Sequence, residues 1–220
     1  FVVDRILDYI LDQGVEPDFI VTVDPIKPVE YFTKRTDLSI PLICKLESNW
    51  EVLEQHKGRK IISSCDYYIA KMYSELGQSP IAIDTGNSVA TVAFSTCMML
   101  GFKKIILVGQ DLAYDGELTH AGGIAEKAST GEIFVEGVDG NQVKSRWDWY
   151  TFLRWFQDRI TENPKLEVID AKEKGAKIKG TINMSLSDAV NKYCTTQVDI
   201  RLFDTLDYTF DSSQIEEVKT

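Results

Sequence analysis

Short runs of apolar, often β-branched residues recur along the chain, at 19–23, 40–46, 60–63, 81–83, 105–108 and 166–169. Each is continuously hydrophobic rather than alternating, as a strand must be when both faces of its sheet are covered, and parallel sheets are covered in this way. Between these runs the apolar spacing changes to that of helices, over 4–13, 66–76, 88–100, 147–162 and 185–194. Strand alternating with helix predicts an α/β fold of Rossmann-like type, a mostly parallel sheet with helices on both faces. One segment breaks the alternation. Ile133-Phe134-Val135 and Val143 flank Gly137-Val138-Asp139-Gly140-Asn141, the pattern of a late β-hairpin inserted after a strand.

The same runs limit what the chain can do. The longest apolar stretch, 89–102, is interrupted by Thr91, Ser95 and Thr96 and falls short of the roughly 20 residues that cross a bilayer. It reads as a buried helix, with no membrane span. With 24 Lys and Arg against 34 Asp and Glu, a net charge of −10 leaves no broad positive field for nucleic acid or an anionic membrane. A small anionic ligand held by a local cluster is compatible with that balance. Cys44, Cys65, Cys97 and Cys194 form no C-x-x-C pair, so neither a zinc site nor a disulfide framework is expected, and a reducing cytoplasm fits. His56 and His120 are the only histidines, so any metal site would have to be mainly carboxylate. Residues 1–195 read as one domain, and 196–220, acidic and hydroxyl-bearing, as a linker or tail.

In open parallel sheets, ligands bind outside the carboxyl ends of the strands. The polar residues that follow predicted strands are Asp24, then Ser63 and Ser64, then Asp84-Thr85-Gly86-Asn87-Ser88, then Gly109-Gln110-Asp111. Gly86 permits close backbone approach and Ser88 can cap the apolar helix, so the turn offers a phosphate cradle of amides and hydroxyls without Lys or Arg. A plain capped turn satisfies the same pattern. Neither a Walker loop nor a dinucleotide fingerprint is present. Asp111 and Gln110 are expected at the ligand edge, where an acid binds ribose hydroxyls or a metal, or simply caps a turn. His120, in Thr119-His120-Ala121-Gly122-Gly123, has the side chain for proton transfer near neutrality, although exposed loop histidines are usually inert.

The block from Gly86-Asn87-Ser88-Val89-Ala90-Thr91 through Leu107-Val108-Gly109-Gln110-Asp111-Leu112-Ala113-Tyr114 to Thr119-His120-Ala121 resembles the DUF115 family, which includes the bacterial motility accessory factors, or Maf proteins. Glu16-Pro17-Asp18-Phe19-Ile20-Val21-Thr22-Val23-Asp24-Pro25 and Val168-Ile169-Asp170-Ala171 extend the similarity over most of 1–195. The resemblance implies a cytoplasmic flagellin glycosyltransferase that moves a sialic-acid-like nonulosonic sugar from a CMP-activated donor to Ser or Thr hydroxyls. It is distantly similar to the bacterial sialyltransferases, in which a strand ending in Asn-Pro and an earlier Asn line the nucleotide pocket. By ungapped spacing those positions fall on Asp24 and Asp4. Both families open with a Gly-x-Gly-Pro-Ser-Leu phosphate loop, and a chain that starts after it is expected to lack that loop and its strand.

On this resemblance the donor is held by Asp4, Asp24, Ser64, Thr85, Gly86, Asn87, Ser88, Gln110 and Tyr114. The catalytic residues are His120 as base, in place of the sialyltransferase histidine that 141–145 lacks, and Asp111. No D-x-D motif is present, which fits a metal-independent reaction. The family also contains an archaeal 6-hydroxymethylpterin pyrophosphokinase using ATP and magnesium, in which reading Asp24 and Asp111 are metal ligands. A third reading is a noncatalytic nucleotide-binding or flagellin-recruiting module.

Overall fold

The computed structural model describes residues 1–27, 29, 32, 35, 37–63, 68, 71, 74, 75, 83–114 and 131–196. It divides into two compact units, Phe1–Asp84 with Thr196–Thr220, and Thr85–Thr195. In the first unit, β1 (Val2–Val3) leads through a 3-10 turn (Asp4–Ile6) into α1 (Leu7–Asp12), followed by β2 (Ile20–Thr22), β3 (Leu42–Cys44), α2 (Trp50–Gln55) and β4 (Lys60–Ile62). The four strands form a parallel sheet in chain order, with Val2 opposite Ile20, Ile20 opposite Leu42 and Leu42 opposite Lys60. Every residue of β2 and β3 is buried, the reason their hydrophobicity is continuous. Leu7, Phe32 and Val52 close over Val2, Ile20 and Leu42 to make the core. The helix predicted over 4–13 thus begins as a tighter turn, and it ends at Gly14, whose left-handed φ of +75° suits a helix stop. Most of the helix predicted over 66–76 lies outside the described residues, as do Ile81 and Ala82.

The second unit contains α3 (Val89–Met99), β5 (Lys104–Val108), the antiparallel hairpin of β6 (Glu132–Glu136) and β7 (Gln142–Arg146), α4 (Trp147–Glu162), β8 (Glu167–Ala171), β9 (Ile182–Met184) and α5 (Leu186–Tyr193). Strands β5, β8 and β9 make a parallel sheet in that order. The fold is therefore α/β with parallel strands and a late hairpin. Helix α4 buries Trp149, Leu153, Phe156 and Ile160, residues spaced to form one apolar stripe. Phe156 and Trp155 meet Phe94 of α3 edge to face, with ring centroids at 5.3 and 5.9 Å. Each such buried aromatic or aliphatic side chain contributes about 1.5–3 kcal/mol. Helix α3 hides Thr91 and Thr96 along with Val92 and Phe94. It tolerates Thr96 because that hydroxyl donates to the Val92 carbonyl at 2.8 Å. Among the described residues no helix is long and apolar enough to cross a membrane.

Candidate functional site

In the first unit the carboxyl ends of the strands carry Asp4, Asp24 and Ser63. Asp4 is 1% exposed. Its Oδ2 accepts the Thr22 hydroxyl at 2.6 Å and its Oδ1 accepts the Lys27 ammonium at 2.5 Å. Both carboxylate oxygens therefore tie β1 to the end of β2 and to the loop beyond it. Asp24 is half-buried and its Oδ1 accepts the Ile26 N–H at 3.0 Å, an Asx turn of the kind that asparagine would form equally well. The Asp24 carbonyl accepts the Asn49 N–H at 3.0 Å, and the Asn49 side chain both caps α2 and donates to the Lys27 carbonyl at 2.8 Å. Ser63 is buried, its hydroxyl donating to the Cys44 carbonyl at 3.3 Å. Ser64 lies outside the described residues.

In the second unit, Thr85, Gly86, Asn87 and Ser88 lead into α3. Gly86 and Asn87 are left-handed, with φ of +46° and +64°. A Cβ on Gly86 would stand 2.7 Å from the Trp155 indole, so the glycine is needed for both conformation and space. Ser88 Oγ accepts the Thr91 N–H and Thr91 Oγ1 accepts the Ser88 N–H, each at 3.1 Å, a capping box. The Thr91 hydroxyl also reaches the Thr85 carbonyl. The box occupies two of the donors at the helix start and leaves the amides of Val89 and Ala90 with no acceptor inside the helix. Those two amides, with the positive end of the helix dipole, form the part of the turn suited to a phosphate. The Ser88 hydroxyl is committed to the cap.

After β5, Gly109 and Leu112 take left-handed φ values of +72° and +49°, a conformation that costs a leucine energy. The surroundings hold it there. Ala176 N–H donates to the Asp111 carbonyl at 2.7 Å, Lys172 Nζ to the Gln110 carbonyl at 2.8 Å, and Ser145 Oγ to the Leu112 carbonyl at 2.7 Å. Tyr114 N–H donates to the Lys144 carbonyl at 2.9 Å. Gly175 allows this approach, since a Cβ there would lie 2.5 Å from the Asp111 carbonyl oxygen. The Asp111 side chain is exposed on this fixed backbone. Lys172 is buried, donating also to the Ala176 carbonyl at 2.6 Å and lying 2.9 Å from Asp170 Oδ2. Burial pushes Asp170 above the usual carboxylate range and Lys172 below the usual lysine range, and their mutual attraction only partly offsets it. The charge of Asp111 acts on both groups.

The structure thus brings together Gln110, Asp111 and Tyr114 along one clamped stretch, and Thr85, Gly86, Asn87 and Ser88 at one helix start. Asp170 and Lys172 are not among the candidate site residues that the sequence yields, although an acid directly after the apolar run at 166–169 is a visible signal. His120 lies outside the described residues. A concavity in this unit, lined by Met98, Phe102, Pro164 and Leu166 among others, lies at the amino ends of β5 and β8 and contains none of these groups. Among the described residues no three His, Cys, Asp or Glu side chains converge.

The family model for 6-hydroxymethylpterin diphosphokinase MptE-like proteins matches residues 1–117, more than half of the chain. No curated protein sequence matches significantly. Among solved structures, the MAf glycosyltransferase from Magnetospirillum magneticum AMB-1 shares the fold, with a TM-score of 0.63 and 14% identity, over 98% of this chain and 31% of that one. The present chain therefore spans well under half the length of that glycosyltransferase.

Proposed function

The chain belongs to the 6-hydroxymethylpterin diphosphokinase MptE-like family, and from that premise we propose that it is a glycosyltransferase-like domain acting in the cytoplasm. In this reading it transfers a sialic-acid-like nonulosonic sugar from a CMP-activated donor to Ser or Thr hydroxyls of flagellin. The observation that carries the reading is the helix start at α3, where the capping box spares the Val89 and Ala90 amides and Gly86 fixes the turn. The shared fold with a MAf glycosyltransferase supports it. Nonulosonic transfer passes through an oxocarbenium-like centre with a phosphate leaving group, so the protein must position the donor, stabilise the departing CMP phosphate and accept the hydroxyl proton. The α3 amides take the phosphate, Asp111 accepts hydroxyls of the donor, and His120 takes the proton. A metal ion is not required for these steps.

Ligand binding to the native state must raise the melting temperature by mass action, so CMP is expected to stabilise the chain. Asp111→Ala is expected to weaken CMP binding by about 1–3 kcal/mol in titration calorimetry. In a full-length homologous protein, His120→Ala is expected to lower transfer about 100-fold or more with donor binding intact. The family's name favours a second reading, an ATP-dependent pterin pyrophosphokinase. Magnesium in such sites is held by one or two carboxylates plus substrate phosphates, the part open to Asp24 and Asp111. Stabilisation by ATP with magnesium, and none by CMP, would replace the first reading with the second. Flagellin binding unchanged after joint replacement of Asp111 and His120 by alanine, with no transfer by the parent, would leave a noncatalytic recruiting module.

A further inference from the structure

Arg146 ends β7 and is 8% exposed. Its guanidinium carbon lies 4.3 Å from the centre of the Trp149 ring, and its Nε is 2.8 Å from Asp148 Oδ1. A guanidinium has five donors and cannot shed its charge. Among the described residues only Asp148 pairs with it, at ion-pair distance on the Nε edge and without a hydrogen bond, and the two-pronged Nη edge makes no hydrogen bond to any of them. Tyr114 lies against the same indole, with ring centroids at 4.9 Å. Its phenolic oxygen is buried and has no hydrogen-bond partner among the described residues. Leaving such a group unsatisfied is costly, and native structures rarely tolerate it without a use. Lys144, whose carbonyl accepts the Tyr114 N–H, sets its ammonium 5.4 Å from the Tyr114 ring centre and pairs with Glu132 at 2.5 Å.

A purely structural role explains half of this arrangement. Stacking on Trp149 and pairing with Asp148 would anchor Arg146 at the start of α4. Among the described residues that role leaves the Nη edge and the phenol without a partner, and both side chains pack on one indole. An oxyanion with two oxygens on one centre satisfies both kinds of donor, because a guanidinium fork grips a carboxylate or phosphate at two points. Asp148 supplies a counter-charge on the Nε side of the guanidinium and leaves the Nη edge uncovered.

We infer that Arg146 and Tyr114, seated on Trp149, form a recognition site for a substrate oxyanion, a phosphate or a carboxylate. The site itself stands on the second unit alone. Its assignment to a CMP-activated acidic sugar, which carries both groups, rests on the function proposed above.

The test titrates the full chain with pyrophosphate, CMP, cytidine and N-acetylneuraminic acid, by calorimetry and by the indole N–H resonance of Trp149. At least one anionic probe is expected to bind and shift that resonance, while uncharged cytidine leaves it in place. Arg146→Lys is expected to weaken the anion about tenfold or more, the usual worth of a hydrogen bond to a charged group, and Tyr114→Phe about three- to tenfold. Tyr114→Phe removes one oxygen and keeps the ring, so it reports even if the Arg146 variant does not fold. Binding of pyrophosphate and CMP alone identifies the phosphate as the ligand group, and binding of N-acetylneuraminic acid alone identifies the carboxylate. If CMP fails while pyrophosphate or N-acetylneuraminic acid binds through Arg146, the CMP-donor reading falls and this site stands. The inference is overturned if no anionic probe shifts the Trp149 resonance, or if the variants bind every probe as the parent does.

Discussion

The two units both carry an acid beyond a parallel strand, and they use it in opposite ways. In the first, Asp4 is turned inward and both of its oxygens are consumed by Thr22 and Lys27, so the acid holds the sheet edge together. In the second, the inward position belongs to Asp170 and its partner Lys172, and Lys172 spends its remaining donors on the carbonyls of Gln110 and Ala176. Asp111 is left exposed on backbone that this lysine fixes. An acid at a strand end is thus not in itself a binding group. What separates the two cases is whether a second, buried charge carries the structural work.

The sharpest way to break this comparison is to remove the two lysines in turn. Lys172→Met would leave Asp170 buried without a counter-charge and two carbonyls without a donor, an expected loss of about 3–5 kcal/mol. Lys27→Met leaves Asp4 with the Thr22 hydroxyl, at a lysine side chain that is 19% exposed, and is expected to cost nearer 1 kcal/mol. Urea denaturation of the two variants measures the difference. Equal losses would mean that Lys172 is no more deeply committed than Lys27.

Replacing the acids themselves tests the other half. Asp4→Asn exchanges an acceptor-only carboxylate for an amide facing an ammonium, and is expected to destabilise the chain by about 1–3 kcal/mol. Asp111→Asn, on an exposed side chain, is expected to change stability by less than about 0.5 kcal/mol. A comparable loss at Asp111 would show that it, too, serves the fold rather than a ligand.

The elements that were legible in the sequence are those whose environment is uniform. The strands β2, β3 and β8, within the runs at 19–23, 40–46 and 166–169, are buried almost throughout and read as apolar runs, the run at 105–108 is legible although Val108 is exposed, and α3 combines such a run with a serine cap. The short strand β9, Ile182-Asn183-Met184, was not visible because it is half-exposed, with a polar residue at its centre. At the candidate site, the strand-end rule points to Asp111 and to the turn before α3. Lys172 was hidden by its own chemistry: a lysine after an apolar strand ordinarily points to water. Its burial depends on Gly175 letting the chain approach Asp111, a contact between segments more than 60 residues apart, which no local pattern records.

A graded effect is expected on the acid limb of the stability curve. Burial raises the Asp170 carboxyl above its ordinary 3.8 more than Lys172 lowers it. Below that ordinary value both folded and unfolded chains hold the proton, and the contribution to stability is fully present. As pH rises through the folded value, the native state must ionise a buried group that the unfolded chain has already ionised, so the contribution is lost. The slope cannot exceed about 1.4 kcal/mol per pH unit for one group. Glu136, held low chiefly by its hydrogen bond from Lys177, and Asp139, held low by Asn141, act in the opposite sense over the acid range, but equally in parent and variant. The difference in unfolding free energy between the parent and Asp170→Asn therefore isolates Asp170. The parent's relative stability should be greatest near pH 3–4 and decline as pH rises, a trend set by the direction of the shift. If it grows with pH instead, the attraction of Lys172 outweighs burial, and the pair in the second unit stabilises its fold as directly as Asp4 and Lys27 do in the first.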